Sequence, residues 1–374
     1  MISLVLIFAA VFLAFVNGAN DNFKGVATLF GSNIAKYKTA INWATVATFS
    51  GSIAALFLAE SLVKNFSGKG LVPDELLLSP LFAVSVSFGA ALTVYWATLK
   101  GLPISTTHSL VGALFGSGLM AVGTNFNFAR LGNVFLIPLI VSPAIAAIIS
   151  ILLYYFFNKM KVFSTFSKEK CICIGGRYIP IENSLTSPEV LNTELRREMT
   201  FEIANKTECV ERYSGRIWGI ETQLILDGFH FLSAGVVSFA RGLNDTPKIV
   251  GLLLVINAFD VKIGLFVIGL AIAAGGLLKA RKVGETVSKK ITPMSAGQGF
   301  TANLVTGILV TTASIHGLPV STTHISVGSI FGIGSISGKA DTKTIKNIFG
   351  SWILTLPVAT IFSAFTYFIL SELI

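Results

Sequence analysis

The sequence predicts an all-α polytopic membrane protein made of two homologous halves. Three observations predict it: an apolar composition, repeated apolar runs of spanning length, and two internal sequence repeats. Of 374 residues, 53% are hydrophobic and 13% charged, whereas soluble domains carry roughly 25% charged residues. Mean hydropathy is +0.75. Such a chain has too little polar surface to cover itself in water.

Apolar runs long enough to cross roughly 30 Å of hydrocarbon occur at Ile2 to Val16, Ala40 to Ala59, Leu81 to Leu99, Val134 to Phe157, Gly219 to Ala240, Val261 to Leu278 and Trp352 to Leu370. A membrane barrel would instead show short alternating segments. Gly, Pro and polar residues interrupt several runs, so about 10–12 membrane segments are expected, including broken helices and two re-entrant-type hairpins. The stretch Met1 to Phe15 lacks a basic n-region and runs directly into Asn17, Gly18, Ala19, Asn20 and Asp21. It reads as a first span kept in the mature protein rather than as a signal peptide.

The formal net charge of +9 sits largely in loops between apolar runs, which points to positive-inside bias rather than nucleic-acid binding. The segment Asn158 to Ile217 mixes ten Lys or Arg with eight Glu and is the one candidate soluble region. Within it Thr193 to Val210 is expected to form a surface helix. A second basic cluster comprises Lys279, Arg281, Lys282, Lys289 and Lys290, and both read as cytoplasmic. Cys171, Cys173 and Cys209 all fall in the long polar segment, where they read as surface thiols in a reducing compartment rather than as a metal site.

Self-similarity defines the halves. FVNGANDNFKGV from Phe15 matches FARGLNDTPKIV from Phe239, with Asp21 aligned on Asp245 at an offset of 224 residues. GLPISTTHSLVGALFGSG from Gly101 matches GLPVSTTHISVGSIFGIG from Gly317 at an offset of 216, with 12 of 18 positions identical. The chain therefore divides into an N-terminal transmembrane repeat at 1–157, a cytoplasmic loop at 158–217 and a C-terminal transmembrane repeat at 218–374.

The first repeat carries buried-charge chemistry. An ionised carboxylate in hydrocarbon costs several kcal/mol, so Asp21 and Asp245 should face the protein interior with partners. Gly18 and Gly242 are expected to let the backbone unwind, so that freed carbonyls join Asn20, Asp21, Asn244 and Asp245 in an all-oxygen shell suited to a hard cation such as Na⁺. Asn or Asp capping a helix end at the interface is the bland alternative, and duplication of the motif argues against it. Lys24 and Lys248, three residues beyond each Asp, either ion-pair or snorkel to the interface.

The second repeat predicts a pair of hairpins. Gly-Leu-Pro ends one helix, and Ser105, Thr106, Thr107 in the first copy and Ser321, Thr322, Thr323 in the second begin another. Free N–H groups, a positive dipole end and hydroxyls then converge on a site fit for a tetrahedral oxyanion. Gly112, Gly116, Gly118, Gly328, Gly332 and Gly334 leave room for close helix approach. A carboxylate repels an oxyanion, so a cation held at the Asp pair would make anion binding depend on cation binding, the thermodynamic basis of symport. His108 and His324 are read mainly as satisfying backbone carbonyls, with proton or anion contact as the alternative. His230 and His316 are read as structural.

GANDN at Gly18, GLNDT at Gly242 and the two GLP[IV]STTH segments closely resemble the inorganic phosphate transporter (PiT) family, over both halves but not the central loop. The resemblance implies an inverted repeat and sodium- or proton-coupled uptake of inorganic phosphate in the cell (plasma or inner) membrane. It implies phosphate held by Ser105, Thr106, Thr107, Ser321, Thr322 and Thr323, and sodium at Asn20, Asp21, Asn244 and Asp245. No cofactor is expected, with sodium ions as co-substrate and no other metal. The expected partners are phosphate, sodium or a proton, and the lipid bilayer, with a homodimer left open. The sequence departs from the family where animal members carry Glu, aligned here near Ser50 and Asn303. A proton-coupled phosphate or sulfate permease is the alternative transporter. A membrane enzyme using Ser, His and Asp is disfavoured, because a duplicated motif suits a shared central ligand better than one asymmetric triad.

Overall fold

A computed structural model describes residues 2–159, 171–180, 195–204, 216–217, 220–256, 260–290 and 294–373. In chain order the helices are α1 Ile2–Asp21, α2 Ala27–Gly31, α3 Tyr37–Leu58, α4 Glu60–Phe66, α5 Asp74–Leu77, α6 Pro80–Lys100, α7 Thr106–Val122, α8 Phe128–Arg130 and α9 Ile137–Lys159. After the polar segment come α10 Thr222–Val250, α11 Val261–Lys279, α12 Arg281–Lys290, α13 Ala296–Ile315, α14 Thr322–Ser337 and α15 Thr342–Leu373.

Among the described residues, seven helical stretches are long and apolar enough to cross a membrane: Ile2–Gly31, Tyr37–Leu58, Pro80–Lys100, Phe128–Phe157, Gln223–Val255, Val261–Lys279 and Thr342–Leu373. Each overlaps one of the seven apolar runs. Large apolar side chains such as Phe57, Ile140, Leu278 and Ile353 point outward, while the Asn, Asp, Lys and Thr residues of the repeats are buried. A membrane protein is built this way, because lipid solvates apolar surface and interior partners must satisfy the polar groups.

The packing is reciprocal between the repeats. α1 packs on α11 and α10, its counterpart, packs on α3; α7 packs on α15 and α14 packs on α9. Glycine sets the closeness of these crossings. A Cβ at Gly18 would meet the carbonyl oxygen of Ile272, and one at Gly242 would meet that of Thr48. Both pairs obey the 224-residue offset with the roles exchanged.

This corrects the expected role of the two glycines. α1 stays helical through Asp21 before tightening to 3₁₀ at Asn22–Val26, and α10 stays helical as far as Val250. Neither helix unwinds at its glycine, which serves backbone-to-backbone contact instead. On α7 and α14 the glycine reading holds for four positions: Gly112, Gly116, Gly328 and Gly332 face the carbonyl oxygens of Leu356, Thr360, Pro143 and Ala147, whereas Gly118 faces the side chains of Phe126 and Val72.

Both hairpins form where Gly-Leu-Pro ends a helix. α6 stops at Gly101 and α13 is followed by Gly317, each with φ of 70°, the left-handed conformation that glycine adopts freely at a helix end. α7 and α14 have 17 and 16 residues. At 1.5 Å per residue each is about 25 Å long, short of a full crossing.

In the polar segment, β1 Cys171–Pro180 pairs antiparallel with β2 Leu195–Ala204, and β3 Arg216–Ile217 pairs with β4 Ile220–Glu221. The surface helix expected over Thr193 to Val210 is therefore a strand across residues 195–204, and its remaining residues lie outside those described. The alternation of Met199, Phe201 and Ile203 with Thr200 and Glu202 is a two-residue period, which suits a strand. Cys171 and Cys173 lie on β1; Cys209 is outside the described residues.

Candidate functional site

α7 and α14 bring their N-termini together. Ser105 caps α7 by accepting from the His108 backbone N–H at 3.1 Å, and Ser321 caps α14 by accepting from His324 N–H at 3.2 Å. These two hydroxyls hold the helix ends open in identical geometry. Across the junction, Thr107 donates to the Val320 carbonyl at 3.2 Å and Thr323 donates to the Ile104 carbonyl at 3.2 Å. The imidazoles of His108 and His324 lie with ring centroids 4.4 Å apart, and His324 stacks on Trp352 at 3.8 Å.

The Asn-Asp motifs reach the same junction. Asp21 is buried and accepts from Asn17 at 3.1 Å, from Thr106 at 2.7 Å and from Thr323 at 3.4 Å, besides pairing with Lys24. Asn20 donates to Thr98 at 2.9 Å and to the Leu102 carbonyl at 3.0 Å, fixing α1 to the end of α6. In the second copy Asn244 is held by Ser314, the repeat partner of Thr98, at 3.1 Å. Asn244 also donates to Asp245 at 2.9 Å and to the Val320 carbonyl at 3.3 Å. Asp245 pairs with Lys248 through Oδ1 at 3.4 Å, while its buried Oδ2 has no hydrogen-bond partner.

Both lysines turn inward, so the ion pair is realised and snorkelling is not. Lys24 Nζ donates to Asn20 Oδ1 at 2.8 Å, to the Ile104 carbonyl at 2.7 Å and to Thr323 at 2.9 Å. Lys248 Nζ donates to Thr107 at 2.7 Å and to the Val320 carbonyl at 2.8 Å. Each ammonium thus sits in a shell of carboxylate, carbonyl and hydroxyl oxygens, the donor set that a hard cation uses. The sequence reading asked an inorganic cation to offset the carboxylates; here a tethered cation already stands beside each one.

All ten residues expected at the site are buried, and contacts made by Asp21, Thr106, Thr107, Asn244 and Thr323 link the two Asn-Asp motifs to the two hairpins. The expected carbonyl partner exists for His324, whose Nδ1 lies 3.2 Å from the Leu139 oxygen, but not for His108, whose Nδ1 has no partner. His230 is buried with neither ring nitrogen paired, and His316 is exposed, its Nδ1 2.8 Å from the Thr312 carbonyl.

Of the positions aligned with acidic residues of animal members, Asn303 is buried between Thr28 at 3.0 Å and Ser233 at 3.2 Å. Ser50 is exposed and bonds only to its own helix at Val46. The α3 side chains that reach the first motif are Thr45 and Thr48, each bonded to Asn22, with Ser52 bonded to Thr246 of the second. Arg241 is the residue the sequence reading passed over. It is buried, and its NH1 lies 3.8 Å from Asp21 Oδ1.

The model of the phosphate transporter family matches residues 17–363. The chain belongs to the phosphate transporter family. Among similar proteins, one from Thermococcus kodakarensis named as a candidate phosphate permease is 30% identical over 96% of this chain and 95% of its own length. One of the same name from Haemophilus influenzae is 28% identical over 96% and 94%. A solved structure described as the sodium-dependent phosphate transporter covers 100% of both chains with a TM-score of 0.78 at 23% identity, a likeness of fold. A phosphate transporter of this family is a multi-pass membrane protein, and the enzyme reading falls with the family assignment.

Proposed function

We propose that the chain takes up inorganic phosphate by secondary active transport coupled to sodium, with phosphate bound where α7 and α14 meet. The reading divides the chain into transmembrane repeats at 1–157 and 218–374, joined by a cytoplasmic loop. The observation that carries it is the mutual hydrogen bonding of the two hairpin ends, Thr107 to Val320 and Thr323 to Ile104, beside both buried Asn-Asp motifs. Two helix N-termini meet there with their N–H groups and positive dipole ends, which favours an oxyanion. Thr106, Thr107, Thr322 and Thr323 are the hydroxyls assigned to phosphate, with Ser105 and Ser321 holding the helix ends. Sodium is assigned to the Asn-Asp pairs, chiefly Asp245, whose Oδ2 is unbonded.

A second reading, proton-coupled phosphate or sulfate transport, is favoured by the lysine ammonium standing in each oxygen shell. Purified protein in liposomes should accumulate labelled phosphate down an inward sodium gradient, and not when choline replaces sodium at fixed pH. Accumulation driven equally well by a proton gradient in choline supports the second reading. No accumulation under any gradient defeats both.

A further inference from the structure

Charge in the buried junction does not balance. Among the described residues, the buried acidic and basic side chains are Asp21, Lys24, Arg241, Asp245 and Lys248. Lys24 is paired with Asp21 and Lys248 with Asp245, which leaves Arg241 as a third cation against two carboxylates. The Arg241 side chain is 1% exposed, and its Nε and both terminal nitrogens donate no hydrogen bond. The 3.8 Å from NH1 to Asp21 Oδ1 is beyond hydrogen-bond reach. A guanidinium buried in this way is costly unless something pairs with it.

Its place in the repeat sharpens the point. Residue 241 aligns with Asn17, whose neutral amide donates to Asp21 at 3.1 Å. The second copy thus carries a full charge and a planar fork of donors where the first carries a neutral amide whose nitrogen is bonded to Asp21. Asp21, the carboxylate that Arg241 approaches, itself accepts from Thr106 at the start of α7 and from Thr323 at the start of α14. One terminal nitrogen of the fork therefore lies 3.8 Å from the carboxylate that both helix ends bond. A fork of N–H donors matches two oxygens of a tetrahedral oxyanion better than an ammonium does.

We propose that Arg241 is the oxyanion-anchoring residue of this junction, supplying both the bidentate contact and the surplus positive charge that an anion needs beside two carboxylates. The proposal deepens the phosphate reading and rests on it for the identity of the ligand. Neither the Asn-Asp pair nor the hydroxyl run supplies such a fork.

The test measures phosphate and sulfate affinity of the purified full chain by titration calorimetry, in sodium and in choline buffer, for wild type, R241K and R241N. R241N restores the residue found at position 17, and R241K keeps the charge without the fork. The expected result is a loss of at least tenfold in phosphate affinity for R241N, with a smaller loss for R241K. The affinity ratio between sodium and choline should also widen in R241N, because added cation then has to supply the missing charge; a residue that only supports the fold would not move this ratio. Should R241N fail to fold, R241K alone decides, and wild-type affinity in it overturns the proposal. Wild-type affinity in both variants overturns it as well. If sulfate binding depends on Arg241 while the wild type carries no phosphate into liposomes, the anchor stands and the proposed function fails.

Discussion

Lys24 Nζ lies 2.9 Å from the Thr323 hydroxyl, so a cation from the first repeat is bonded to the hairpin of the second. The repeat copies of these residues make the opposite link, Lys248 to Thr107 at 2.7 Å. Each lysine also bonds the carbonyl that the same threonine bonds, Ile104 for one and Val320 for the other. Three groups from different segments close a ring on each side of the junction. Moving one hairpin away from the other therefore breaks charge-assisted hydrogen bonds in both rings at once.

Removing the Lys24 charge should leave Asp21 buried and short of its strongest partner. Breaking such a pair costs up to roughly 3–5 kcal/mol, lessened here because Arg241 lies 3.8 Å from the same carboxylate but makes no hydrogen bond to it. K24M should unfold in detergent at clearly lower temperature than wild type. The double variant D21N/K24M, which removes both charges, should recover most of that loss by differential scanning fluorimetry without recovering phosphate uptake. A double variant no more stable than K24M would show that the pair is not what K24M disrupts.

Thr107 and Thr323 occupy equivalent positions and should respond equally. T107V and T323V keep the shape and delete the hydroxyl, each losing a hydrogen bond to an ammonium worth roughly 1.5–3 kcal/mol. We expect phosphate KM in liposome uptake to rise by about tenfold or more in each, with the two values within a factor of about three. A large effect in one and none in the other would mean that phosphate is held by one hairpin alone.

Much of this architecture is legible in the residues, for identifiable reasons. Apolar runs mark the spans because hydrocarbon admits little else, and Gly101 and Gly317 mark the hairpins because a helix end in left-handed conformation selects glycine. Gly18 and Gly242 are misread as points of unwinding because glycine serves a loosened backbone and a close helix crossing equally well. Only the neighbouring carbonyls of Ile272 and Thr48 decide between the two. Arg241 was detectable: a basic residue at the end of an apolar run, opposite a neutral Asn17 in the aligned repeat. Counting shared positions hides it, since the information lies in a mismatch. The inward course of Lys24 and Lys248 is decided by carbonyls 80 and 72 residues away, whereas the three-residue spacing to each Asp allows ion pairing and snorkelling alike.

The glycine geometry gives a stability prediction within a single helix. On α10, a Cβ at Gly242 would run into the Thr48 carbonyl, whereas one at Gly228 would meet nothing within 4 Å. G242A should therefore force the α3–α10 crossing apart at a cost of about 1–3 kcal/mol. G228A should be neutral or stabilising by up to about 1 kcal/mol, since alanine is the better helix former. Thermal unfolding of both variants in one detergent checks this, and equal shifts would refute the close crossing.

The two carboxylates are not equivalent, and that predicts which one responds to sodium. Asp21 spends both oxygens on Asn17, Lys24, Thr106 and Thr323, whereas Asp245 keeps Oδ2 free of any bond and holds Lys248 at a longer 3.4 Å. An incoming cation has to displace several bonds at Asp21 but finds an available oxygen at Asp245. D245N should therefore abolish stimulation of phosphate uptake by sodium while leaving the protein folded. D21N should chiefly lower thermal stability, because it removes the charge that pairs with Lys24 and turns one of the two oxygens serving Lys24 and Thr106 into an amide nitrogen. Sodium-dependent uptake measured for each variant, alongside its unfolding temperature, separates the effects. Sodium stimulation surviving in D245N but lost in a well-folded D21N would move the ion to the first motif.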